Sequence, residues 1–296
     1  MKDPTNFDFQ TLDDPLGPTF NNLQGINNRG LITGFYGSGN PGDPNHGYLL
    51  SPSGTFTPVD FPGAAQTQLN GLNDNGIEVG YFYQTNNGVP LDNQFGFVLR
   101  DGVFTAVNDP HTPTAPNPGV LIENQVLGVN DRDVAVGFYN DASGNSHGYT
   151  YDIKTGTFSA DINDPSAVST VAGAINDKGD IAGFFTDSGG VIHGFLDEHG
   201  QFTTVDAPGA TLTELLGVND SGIAVGQDVV GGVTHGLIYD SHTGVFTTVD
   251  APNAAGFTLL NGINDKGDIV GFYTDAAGAT HGLLVTPDHG WSWHGI

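Results

Sequence analysis

The sequence contains no cysteine, which excludes disulfide frameworks, thiolate metal sites and cysteine nucleophiles. Basic residues are scarce: 7 Lys and Arg stand against 33 Asp and Glu, for a formal net charge of −26. Nucleic-acid and anionic-membrane partners require clustered Lys and Arg, so both classes are excluded. No stretch approaches the roughly 18 consecutive apolar residues that span a bilayer, so no membrane insertion is expected. The opening Met-Lys-Asp-Pro lacks the apolar segment of a signal peptide; an exported protein would stand here in its mature form with an initiator Met. Helix formers are few, because Glu78, Glu123, Glu198 and Glu214 are the only glutamates and the remaining acids are Asp. Catalytic signatures are missing as well, with no Gly-x-Ser-x-Gly, His-Glu-x-x-His, P-loop or dinucleotide fingerprint.

What is abundant is glycine, 45 of 296 residues, beside 37% hydrophobic residues that suffice for a core. Much of it falls in one unit written six times. The fullest copy runs from Phe246 through Val249-Asp250-Ala-Pro252 to Leu260-Asn-Gly-Ile-Asn264-Asp265-Lys-Gly-Asp-Ile-Val-Gly271-Phe-Tyr, then His281-Gly282-Leu-Leu. A marker Asn recurs at 27, 73, 130, 176, 219 and 264, at spacings of 46, 57, 46, 43 and 45. That period is the length of a four-stranded propeller blade. In the fourth unit the pattern predicts strands a to d at 172–177, 180–185, 193–197 and 201–206, with the Asn176-Asp-Lys-Gly179 turn between a and b. Glycines in mid-strand, such as Gly217, Gly226, Gly262 and Gly271, fit a narrow centre where backbones approach closely.

The expectation is an all-β chain forming one domain, a six-bladed β-propeller of four-stranded antiparallel blades. The blades fall at about 23–60, 69–108, 126–161, 172–206, 215–250 and 259–286 plus 7–12, with a tail at 287–296. The last unit ends after strand c, and residues 7–12 read as its missing strand d, so the N-terminal strand closes the ring and removes the open edges.

The run Gly-Ile-Asn-Asp-Lys-Gly-Asp-Ile-Val-Gly-Phe-Tyr, followed by His-Gly-Leu-Leu, resembles the HAF-type extracellular repeat of bacterial proteins, over residues 7–286. The resemblance implies a propeller-like fold and a secreted or cell-surface location, and brings no activity or catalytic residues with it. The second unit departs from the pattern, carrying Phe95 where the other units carry His.

Residues repeated from unit to unit are read as scaffold. His46, His147, His193, His235 and His281 open strand c, with Asp141, Asp187, Asp228 and Asp275 nearby at the end of strand b and Asp60, Asp206 and Asp250 at the end of strand d. Five copies spaced around a ring cannot converge on one ion, so a repeated structural His–Asp bond is expected. The Asn-Asp-x-Gly-Asp turns resemble calcium loops in composition, but each supplies too few of the six to eight oxygens that Ca²⁺ takes. Turn chemistry is the reading there; Ca²⁺ remains the one possible cofactor, and no other is evident.

Function is expected where the units differ. With this strand order the d–a and b–c connections share one face, the top. Three of them are long: Gly37 to Asn45, Gln84 to Gln94, and 109–124 with its His111-Thr-Pro-Thr-Ala-Pro-Asn-Pro118. Grouped over the first three blades, they mark a binding face, with Tyr36, Tyr83, Tyr139, Asp92, His111 and Glu123 as ligand-binding residues. A second polar group stands where strand a enters the channel: Asn22, Gln24, Gln68, Asn70, Gln125, Glu214 and Asn261. Glu78 takes a position held by Ile32, Ala135, Ile181, Ala224 and Ile269 in the other units, a costly place for a carboxylate unless it is paired or solvated. Trp291 and Trp293, the two tryptophans, either pack on the bottom face or stack on a sugar.

The reading is a secreted ligand-binding module, favoured as a monomer, whose partner is an extracellular glycan or small molecule, with carbohydrate preferred. The alternative is a polysaccharide hydrolase or lyase using Glu78, Glu123 or Asp92 with His46 or His111. A third reading is a self-assembling structural protein.

Overall fold

The computed structural model describes residues 7–40, 43–86, 89–114 and 117–288, excluding the side chains of 85–92. Trp291 and Trp293 lie outside the described residues. The chain forms six four-stranded antiparallel sheets, a six-bladed β-propeller. The first blade holds β2 (Asn21–Ile26), β3 (Ile32–Tyr36), β4 (His46–Leu50) and β5 (Phe56–Pro58). The second holds β6 (Gln66–Leu72), β7 (Ile77–Asn86), β8 (Val89–Arg100) and β9 (Val103–Val107). The third holds β10 (Asn124–Val129), β11 (Val134–Asn140), β12 (Ser146–Asp152) and β13 (Thr157–Phe158). The fourth is β14 (Ala167–Ile175), β15 (Ile181–Asp187), β16 (Ile192–Glu198) and β17 (Gln201–Val205). The fifth is β18 (Thr213–Val218), β19 (Ile223–Val230), β20 (Val233–Asp240) and β21 (Val245–Val249). The sixth joins β22 (Thr258–Ile263), β23 (Ile269–Thr274) and β24 (Thr280–Pro287) to β1 (Phe7–Thr11), which pairs with β24 from Phe7–Pro287 to Thr11–Leu283.

Strand a begins one to five residues before its expected start, and it is not regular. Every copy carries a β-bulge, falling at residues 24, 70, 127, 173, 216 and 261. The bulge bends the strand and turns the extra residue toward the axis. Glycine follows from this crowding. A Cβ on Gly25, Gly71, Gly217 or Gly262 would come within 2.8–2.9 Å of the carbonyl oxygen of the next blade's bulged residue. A Cβ on the strand-b glycines (Gly34, Gly80, Gly137, Gly183, Gly226, Gly271) would collide with the strand-a carbonyl opposite.

Apolar side chains fill the six seams between blades, so the molecule has six core clusters rather than one. The seam between first and last blades packs Leu23, Ile26, Ile32, Tyr48 and Leu50 against Val270, with Leu12 and Leu284 at its edge. Closure of the ring therefore buries a sixth apolar seam, on the same footing as the other five.

At the bottom, two closed rings of hydrogen bonds run around the axis. Each marker Asn donates Nδ2 to the carbonyl of the marker Asn in the next blade: 27 to 73 at 3.2 Å, 73 to 130 and 130 to 176 at 2.9 Å, and 176 to 219, 219 to 264 and 264 back to 27 at 3.1 Å. Its Oδ1 meanwhile accepts peptide N–H groups of its own turn, as Asn130 does from Arg132 and Val134, both at 3.1 Å. In the second ring the N–H of the next residue donates to the following blade's side chain. This runs from Asn28 through Asp74, Asp131, Asp177, Asp220 and Asp265 back to Asn28, at 2.7–3.0 Å. Burial pushes the carboxyls of Asp131, Asp177 and Asp220 upward, and the neighbouring Asp charges add to it.

Asn130 is 4% exposed, so removing its amide strands buried groups on both sides, each at about 1–3 kcal/mol. Asn130→Ala and the isosteric Asn130→Asp are each expected to lower the unfolding free energy by about 2–4 kcal/mol in urea titrations. Asp keeps the acceptor but turns an oxygen toward the Asn176 carbonyl. A loss under about 0.5 kcal/mol in both would contradict the ring.

Candidate functional site

The b–c hairpins and d–a connections share the top, and the a–b and c–d turns share the bottom with the Asn rings. At the top, each strand-c His lies over the strand-b residue paired with it and against the Asp that ends strand d. Tyr36–His46, Tyr139–His147, Phe185–His193 and Tyr273–His281 have ring centroids 5.1–5.4 Å apart. Nδ1 bonds to Asp60 from His46 (2.9 Å), Asp206 from His193 (2.9 Å), Asp250 from His235 (2.8 Å) and Asp13 from His281 (2.7 Å). The Nδ1 of His147 is 3.8 Å from Asp161, whose carboxylate takes the Tyr139 hydroxyl at 3.2 Å. Asp141, Asp187 and Asp275 approach Nε2 of their His at 3.4–3.6 Å. These carboxylates sit below the usual range, chiefly because peptide N–H groups of their own turns bond to them.

Blade five departs from this scheme. Asp228 is not a turn residue like Asp141, Asp187 and Asp275; it pairs across with His235, at the position where other blades place the aromatic ring. It is 5% exposed, its Oδ1 has no hydrogen-bond partner among the described residues, and burial pushes its pKa up. Position counting from the sequence missed the two-residue shift that separates it from the turn.

Over the first blade the long b–c connection leaves a cavity of about 540 Å³, lined by Leu16, Pro18, Tyr36, Ser38, Asp43 and His46 among others. This is within the roughly 300–1,000 Å³ of small-ligand sites. Gly17 packs against the Tyr36 ring, where a Cβ would stand 2.6 Å from Cδ2. Leu16 is 72% exposed at the rim. Asp43 accepts Ser38 Oγ at 2.5 Å and Asn40 Nδ2 at 3.4 Å. Burial raises the Tyr36 hydroxyl pKa, and Asp14 and Asp60 raise it further. Tyr36 and His46 were legible in the sequence; Leu16 and Asp43 were not singled out, although both belong to connections at the top.

The second long connection is a ribbon rather than a loop. β7 and β8 continue beyond the blade, pairing Thr85 with Pro90 and Asn86 with Val89. The side chain of Asp92 lies outside the described residues. Gln94, at the base of this ribbon, is a hub that the sequence did not reveal. Its Nε2 donates to Tyr83 at 3.3 Å and to Glu123 at 3.4 Å, and its Oε1 accepts from Gln125. Glu123 also accepts from Asn140 Nδ2, and burial raises its pKa against that bond. The 109–124 connection is strapped to both neighbours, by Ile122 N to Asn93 (3.1 Å) and Asn117 N to the Ala142 carbonyl (3.0 Å). Its His111 bonds through Nδ1 to Asp109 at 2.9 Å and lies 5.9 Å from the Tyr139 ring.

Two groupings expected from sequence do not assemble. The channel-mouth residues separate: Gln24, Asn70 and Asn261 line an axial cavity of about 80 Å³. That holds about two or three waters and no sugar ring. Gln68 is buried and takes the Tyr81 hydroxyl at 2.6 Å, while Glu214 is bonded by Gln227 and does not line that cavity. The second correction concerns Glu78. It pairs with Leu72 and Leu99 beside the bottom turns, at the far end of the blades from His46 and His111, so it forms no site with them. Burial pushes its pKa up to about 7, against a backbone hydrogen bond that lowers it.

No family model matches the chain, and no curated protein matches it. Among solved structures it is similar to a TolB-like protein from Agrobacterium tumefaciens, at 12% identity over 95% of this chain and 98% of that one, with a TM-score of 0.59. It is similar to Aleuria aurantia lectin in complex with Fucα1-6GlcNAc, at 10% identity over 95% and 100% of the two chains, TM-score 0.54. TolB from Acinetobacter baumannii matches at 13% identity and TM-score 0.52 over 91% of this chain, which spans only 56% of that protein. At these identities the likeness shows the propeller fold.

Because the folded-state pKa of Glu78 lies above the ordinary value, its contribution is fully present below about pH 4.5 and lost as pH rises through about 7. Glu78→Ile, the residue of blades one, four and six, is expected to raise Tm more at pH 8 than at pH 5; an equal shift at both would contradict this. His193→Ala loses both the Asp206 bond and the Phe185 stack and is expected to cost about 1–2 kcal/mol. His193→Phe, which keeps a ring contact of the kind Phe95 makes with Phe82, should cost less in the same thermal melts.

Proposed function

We propose that this chain is an exported bacterial propeller, of the HAF-repeat kind, that binds carbohydrate through its top face. The cavity over the first blade carries the reading. It joins an aromatic pair (Tyr36, His46), an exposed apolar rim (Leu16), and the hydroxyl and carboxylate of Ser38 and Asp43. A sugar presents an apolar C–H face and a belt of hydroxyls, and this set offers a partner to each. The solved propeller that carries Fucα1-6GlcNAc supports it as a shape on which a glycan is held. The ordered polar network of Gln94, Glu123, Gln125 and Asn140 would extend the contact over blades two and three.

Retention on a panel of immobilised polysaccharides, with soluble fragments followed in parallel, tests the proposal. Retention without fragments is expected, and Tyr36→Ala should weaken it at least tenfold, about 1.4 kcal/mol. Release of fragments would transfer the function to hydrolysis or elimination, with Glu123 as its acid. Neither retention nor cleavage would contradict the carbohydrate reading.

A further inference from the structure

The charge distribution specifies which glycans the top face can take, an inference that rests on the carbohydrate reading above. All six described Lys and Arg lie at the bottom. Arg29, Arg132, Lys178 and Lys266 are in a–b turns, and Arg100 and Lys154 flank c–d turns, the last two 3.6 and 3.5 Å from Asp133. Among the described residues the top has no Lys or Arg, while every blade places a carboxylate there, among them Asp60, Asp109, Asp141, Asp187, Asp250 and Asp275. Imidazoles are the remaining basic groups, and His46, His111, His147, His193, His235 and His281 each already face an Asp at 2.7–3.5 Å.

The bottom cations do not offset this. Strands of five to seven residues separate the two ends by about 17–23 Å. The screening length at physiological salt is about 8 Å. A uronate or sulfated chain would therefore meet an unrelieved field of its own sign. In the first-blade cavity Asp43 is bonded only by Ser38 and Asn40 among the described residues, both neutral. Asp60, outside this cavity, is held by His46 at 2.9 Å, which leaves Asp43 as the carboxylate lining it.

We infer that the first-blade cavity takes amino sugars with free ammonium groups, with Asp43 receiving the ammonium beside Tyr36. Calorimetric titration of the whole chain with glucosamine oligomers, matched N-acetylglucosamine oligomers and galacturonate oligomers tests this at low and physiological salt. The glucosamine oligomer is expected to bind at least tenfold tighter than its acetylated counterpart, and more weakly as salt rises. Asp43→Asn should weaken it at least threefold, while Asp101→Asn, which removes one charge from the opposite face, should leave it unchanged. Equal or tighter binding of the acetylated or galacturonate oligomer overturns the inference and leaves carbohydrate binding standing. Binding of oligolysine without binding of glucosamine overturns it in favour of a basic peptide. No binding of any of these overturns it too, and polysaccharide retention then decides the broader reading separately.

Discussion

Six blades must meet around an axis with little room for side chains, and most of this sequence answers to that constraint. The bulge in strand a places a carbonyl where the neighbouring blade's glycine must pass in five of the six seams, and Ala174 stands at that position in the other. Crowding of that kind leaves polar backbone at the centre with little water, so its hydrogen bonds must be found within the ring. The marker Asn meets both demands with one side chain, using Oδ1 to shape its own turn and Nδ2 to reach the next blade. Six such bonds close on themselves, and each blade depends on its neighbour in the same way. The apolar seams pack neighbouring blades together, while the Asn ring ties each blade's bottom turn to the next.

The period, the strand count and the four-strand blade were legible because they rest on repetition, which one sequence displays by itself. The marker Asn was read as turn chemistry, which describes its Oδ1 only. Its Nδ2 bonds join residues 43 to 57 apart in the chain, and its closing bond joins residues 237 apart. No local pattern announces such a partner. The candidate site was half legible. Tyr36 and His46 stood out because the loop beside them is long, whereas Gln94 acquires its role only when the ribbon of β7 and β8 brings it beside Glu123. Glu78 drew attention as a carboxylate in an apolar column, but its end of the strand decides its company, and that end is the bottom.

The two faces thus divide the work. At the bottom the polar groups bond to one another around the axis, and the described Lys and Arg residues gather there. At the top the repeated His–Asp pairs tie strand c to the end of strand d, and the long connections lie over the first three blades. A cavity results where the first of these is long, on a face whose charge is of one sign.

Hydrogen–deuterium exchange of the whole chain, with and without a saturating glucosamine oligomer, tests this division most directly. The account predicts slowed exchange at 16–19 and 35–40, with no change in the Asn-Asp turns at 27–31, 130–134 and 176–180. Protection confined to those bottom turns, with the first-blade connections unaffected, would contradict it.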